Sequence, residues 1–139
     1  MFPRIREITD AMGARLRIIV EAHPGGAMIT LERPGQHRQE KAMLDLYAAE
    51  VLWGYIMSAR LALPGDLPDE RVESSFQTRL SLRHEPSVGL MITQSCMERP
   101  FEIPATFWDR LYAELCVANA HARELGRRAE VEVMSDADA

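Results

Sequence analysis

The chain has 139 residues, of which 47% are apolar and 27% charged, with a formal net charge of −5. That length supports one domain with its own core, and the acidic balance argues against nucleic-acid binding, which draws on a basic face. No apolar run approaches the roughly 20 residues that cross a bilayer, no hydrophobic leader opens the sequence, and Cys96 and Cys116 are too few for a disulfide framework. A cytoplasmic protein without membrane, nucleic-acid or cofactor partners is expected. Lys41 is the single lysine among 16 basic residues. The arginine bias fits codon usage in a GC-rich genome, or recognition of phosphate and carboxylate by the guanidinium fork.

Pro3–Met12 reads as a short amphipathic helix, with Ile5, Ile8 and Met12 on one side and Gly13 as its stop. From Arg15 to Ala22 the pattern alternates, placing Leu16, Ile18, Val20 and Ala22 on one face. His23-Pro24-Gly25-Gly26 is a turn, and Ala27–Arg33 alternates again. Folding about that turn pairs Val20 with Ile29, Ile18 with Leu31 and Arg17 with Glu32, a favourable cross-strand charge pair. Gln36–Leu63 then reads as a long helix with an apolar surface too wide for one sheet to cover.

Residues 63–75, with Pro64, Gly65 and Pro68, read as a linker. Phe76–Glu85 alternates, Glu85-Pro86-Ser87 turns, and the return strand matches Leu82 with Leu90 and Leu80 with Ile92. Pro104 opens a second long helix, ending near Leu125 with Gly126 as its cap. Residues 129–139 read as a disordered acidic tail.

The two halves repeat. Gly26-Ala27-Met28-Ile29-Thr30 recurs as Gly89-Leu90-Met91-Ile92-Thr93, Ala14-Arg15-Leu16 as Thr78-Arg79-Leu80, and Ala49-Glu50-Val51 as Ala113-Glu114-Leu115, at offsets of 63 or 64. The expected fold is therefore α+β and a single domain over 1–139. It comprises a short N-terminal helix and two strand–strand–helix repeats (14–62 and 77–126), forming one four-stranded antiparallel sheet with two long helices on one face.

Chemistry-bearing patterns are sparse. His37 with Glu40, and His121 with Glu124, have helical i, i+3 spacing, but no recognisable metal-ligand motif accompanies either pair. A Cys96–His84 dyad is excluded by the hairpin register, which sets Cys96 opposite Phe76, more than ~20 Å along the strand from His84 at roughly 3.3 Å per residue. Glu50 and Glu114 occupy repeat-equivalent places in apolar stretches; with Arg60 and Arg123 they are the expected residues of an alternative ligand site, the groove between the repeats.

The outward sheet face has another composition: Arg15, Arg17 and Met28 from one half, Arg79, Arg83 and Met91 from the other. Arginine with adaptable methionine suits a protein partner, specifically an acidic, partly hydrophobic segment. Trp53 and Met57 on the first long helix are the expected homodimer contact. In size and helix–strand order the chain is similar to small acidic secretion-type chaperones, a likeness of fold alone. The expected function is a non-catalytic protein-binding module (adaptor, chaperone-like or accessory subunit), with a ligand-binding protein or enzyme using the groove as the alternative.

Overall fold

The computed structural model describes residues 3–24, 26–35, 41–95 and 97–138. His37, Glu40 and the Cys96–Phe76 opposition lie outside the described residues. The alternating stretches form the expected hairpins: β2 (Arg15–His23) pairs with β3 (Gly26–Glu32) in the register Val20–Ile29, Ile18–Leu31, Arg17–Glu32. In the second half, β6 (Gln77–Arg83) pairs with β7 (Gly89–Gln94), setting Leu82 against Leu90 and Leu80 against Ile92.

Each hairpin is flanked by two further strands, which changes the architecture. The first is bordered by β1 (Arg4–Thr9) and β4 (Lys41–Leu44), the second by β5 (Glu70–Glu73) and β8 (Phe101–Pro104). The result is two antiparallel four-stranded sheets, β1-β2-β3-β4 and β5-β6-β7-β8, rather than one sheet made of two hairpins. The hairpins cannot join edge to edge because their edges are already paired. The fold is α+β, and the order of four strands followed by a helix occurs twice: α1 (Leu46–Ala62) closes the first half and α2 (Trp108–Asp138) the second.

The expected N-terminal helix is strand β1. Its apolar spacing looked helical because the inward face carries Arg4 and Arg6 beside Ile8, so no alternating apolar pattern exists to read. Inward arginines are tolerated because Glu114 of α2 pairs with both, at 3.5 Å and 3.4 Å, and inward charge is a common protection for an edge strand. Gly13, at φ 84°, closes the β1–β2 turn, while the Asp10 carboxylate accepts the N–H groups of Met12 and Ala14. With a strand here, the helix–strand order behind the chaperone likeness is not that of this chain.

The expected Gln36–Leu63 helix is instead β4 followed by α1. Asp45 caps α1, accepting the Ala48 N–H at 2.9 Å. Part of the expected 63–75 linker is β5. After a 3₁₀ turn at Ala105–Phe107, α2 runs through Gly126 to Asp138, over the segment read as a disordered tail. Gly126 is not a cap but a position inside α2, and the β2–β3 tip lies against it: a Cβ on Gly26 would stand 3.8 Å from the Gly126 Cα, an ordinary contact.

The halves share one core. α2 lies across β2 and β3 of the first sheet, whereas α1 touches β3 and β4 on one side and β5 and β6 on the other; the two helices pack together. Leu111, Leu115, Ala118, Ala122 and Leu125 form the buried stripe of α2, at the i, i+3/i+4 spacing of a core-facing helix. Two side chains tie the sheets at their inner edges. Gln94 of β7 bonds the Met43 peptide of β4 from both amide atoms, and Arg33, just after β3, donates to the Glu102 carbonyl of β8 at 3.2 Å.

Candidate functional site

The pleat of the second sheet turns Arg71, Arg79 and Thr93 outward in one cross-strand row, since Arg71 pairs with Arg79 and Arg79 with Thr93. Ser81, Met91 and Glu102 form the next row. Around the first row lies an open cleft of about 350 Å³, lined by Arg71, Glu73, Gln77, Arg79, Thr93 and Ser95 with Val72, Thr78 and Gln94 behind them. The Arg79 Nε sits 3.8 Å from Asp69, and among the described residues no hydrogen bond or ion pair engages its terminal nitrogens. Among the described residues Arg71 makes no ion pair. Two like charges directly opposite one another are unfavourable by themselves.

The first sheet treats its charges differently. Glu7, Arg17, Glu32 and Lys41 stand opposite one another across four strands. They alternate in sign and form ion pairs of 3.3–3.4 Å; Arg15 joins Glu7 at 3.2 Å. Arg15 and Arg17 are thus neutralised within the chain. Met28 is only 6% exposed. In the second sheet Arg83 pairs with Glu102 at 2.6 Å and donates its Nε to the Ser87 carbonyl, and Met91 is half-buried. Of the six residues expected to contact a partner, Arg79 alone both faces the cleft and keeps its terminal nitrogens available. Arg71 was missed because its strand is four residues long and sits in a stretch that reads as linker; its only signal was Val72, one apolar position among charges.

Of the four groove residues the structure brings Glu50 and Arg123 together, while Arg60 and Glu114 each pair with a residue outside the set. Glu50 pairs with Arg123 at 3.0 Å, Arg60 pairs with Asp109 and lies over the Trp108 ring, and Glu114 holds Arg4 and Arg6. Trp53 is half-buried, its ring stacked on Tyr112 with centroids 4.9 Å apart. Met57, at 37% exposure, remains at the surface of α1 with Tyr47 and Leu61.

No protein-family model matches the chain, and no curated protein matches its sequence.

The cleft's chemistry therefore stands on its lining. Two guanidinium groups, an amide and two hydroxyls are hydrogen-bond donors suited to an oxyanion. Among the described residues the lining holds no histidine or cysteine to serve a nucleophile. Among the described residues no three of His, Cys, Asp and Glu gather as a metal set, and no helix is long and apolar enough to cross a membrane.

Proposed function

We propose that this protein is a small cytoplasmic, non-catalytic module that binds another protein through the outward face of its second sheet. The observation that carries this reading is the Arg71–Arg79 pair, opposed across two strands beside an open cleft, in a chain whose first-sheet arginines are all held by its own acids. The half-buried Met91 in the next row adds adaptable apolar contact. Homodimerisation through α1 is part of the proposal: Tyr47, Met57 and Leu61 are exposed on that helix, with Met57 the principal contact because the Trp53 ring already packs on Tyr112.

Charge reversal tests the docking face. Arg71→Glu with Arg79→Glu leaves the fold intact, because both side chains are exposed, and abolishes capture of the partner from the source cell. A folded double variant that keeps every partner of the wild type overturns the proposal. Arg83 is unsuitable for this test, since its loss also breaks the bonds to Glu102 and Ser87.

A further inference from the structure

We infer that the cleft between Arg71 and Arg79 is a carboxylate seat that takes an aspartate or glutamate side chain from an acidic segment of the partner. This rests on the docking face proposed above and names the chemistry that would engage it. Arg71 and Arg79 oppose each other directly in the β5–β6 register, so an anion placed between them converts like-charge repulsion into two charge-assisted hydrogen bonds. Asp69 stands 3.8 Å from the Nε of Arg79, and among the described residues no hydrogen bond or ion pair engages its Nη1/Nη2 end. Gln77, Thr93 and Ser95 line the same space and supply an amide and two hydroxyls as further donors.

Glu73 lines the cleft and Asp69 stands beside Arg79, so the two acids offset the two arginines and the seat's donors, not its net field, select the ligand. The guanidinium fork takes a carboxylate or a phosphate, and the peptide that carries a carboxylate supplies contacts a free phosphate lacks. The cleft, at about 350 Å³, is in the range of sites that hold drug-sized ligands. A lone carboxyl group would fill a small part of it, whereas a carboxylate on a peptide would bring neighbouring residues to occupy the rest.

The test is a titration of the ¹⁵N-labelled full chain with hexaglutamate, hexaglutamine and inorganic phosphate, followed by amide shifts. Hexaglutamate at low millimolar concentration should shift Arg71, Gln77, Thr93 and Ser95 saturably, and its affinity should fall several-fold as NaCl rises from about 50 to about 300 mM. Hexaglutamine and phosphate should leave those amides in place. Arg71→Gln with Arg79→Gln should weaken hexaglutamate about tenfold or more. Arg71→Gln alone, which breaks no ion pair among the described residues, should weaken it measurably and serves if the double variant does not fold. The seat is overturned if hexaglutamate shifts none of these amides, if phosphate binds there more tightly, or if folded variants bind hexaglutamate as the wild type does. Cross-linking of a natural partner at Thr93 without hexaglutamate binding overturns the seat and leaves the docking face standing. Hexaglutamate binding in the cleft with natural partners cross-linked only elsewhere supports the seat and overturns the docking face.

Discussion

Replacing Gln94 with leucine should loosen the joint between the two sheets. Gln94 is 3% exposed, and its amide makes three bonds: Nε2 donates to the Met43 carbonyl at 2.7 Å and to the Thr78 hydroxyl at 3.1 Å, and Oε1 accepts the Met43 N–H at 3.2 Å. Leucine removes all three at similar volume. Each bond contributes about 1 kcal/mol net, and the orphaned Met43 groups add a penalty toward the low end of ~1–3 kcal/mol, because Met43 is 39% exposed and water can reach it. Leucine returns roughly 1 kcal/mol through apolar burial. The expected loss is about 2–3 kcal/mol, or on the order of 10 °C in Tm for a domain of this size. Urea denaturation followed by circular dichroism measures it. Gln94→Glu should cost at least as much, since two of the three bonds need an N–H donor and the new carboxylate would face the Met43 carbonyl. A loss below about 1 kcal/mol for the leucine variant would refute the idea that this side chain holds the sheets together.

Three further outcomes follow from particular contacts. Burial, and then the charges of Asp69 and Glu70, push the Tyr55 phenol up to about 12; the unfolded phenol ionises near ~10, so stability is complete below about pH 10 and declines as pH rises through about 12. Tyr55→Phe should abolish that alkaline decline and cost about 1 kcal/mol at neutral pH through the lost bond to the Pro68 carbonyl; equal alkaline slopes would count against it. Burial pushes the Asp45 carboxyl up, but the N–H groups of Ala48 and Ser75 outweigh it and hold it below the usual range. Its stabilisation is therefore present above about pH 3.9 and lost as pH falls through the lower folded value, so Asp45→Ala should cost about 1 kcal/mol at neutral pH and flatten the acid limb of a stability–pH profile. Arg17→Glu puts a third acid between Glu7 and Glu32 and should cost about 1–2 kcal/mol while leaving partner capture unchanged, in contrast to the same exchange at Arg79.

What the sequence made legible was the centre of each half. Two long alternating stretches around a turn are a strong signal: folding about the turn gives the first register, and the Arg17–Glu32 pair supports it. The edges were not legible. β4, β5 and β8 are four residues each, too short for periodicity to separate from a helix start or a linker, and β1 turns arginine inward. Those strands decide between one sheet and two, so the architecture above the hairpins was lost with them. The site suffered likewise. Alternation correctly turned Arg15, Arg17, Arg79 and Arg83 to one side of their strands, but only the neighbouring strands reveal which are neutralised. Glu7 and Lys41, on strands the pattern did not disclose, complete the first-sheet ladder, and Arg71, on another, makes the second-sheet cleft.

The most direct test of the docking face is site-specific photo-cross-linking in the source cell, with the reactive residue placed in turn at Thr93 in the cleft, at Glu7 on the first sheet and at Ala113 on α2. A partner seated on the second sheet predicts a discrete heterologous adduct from Thr93 that disappears when Arg71 and Arg79 are reversed to glutamate, and none from Glu7 or Ala113. Adducts from Glu7 or Ala113 with none from Thr93 would contradict it.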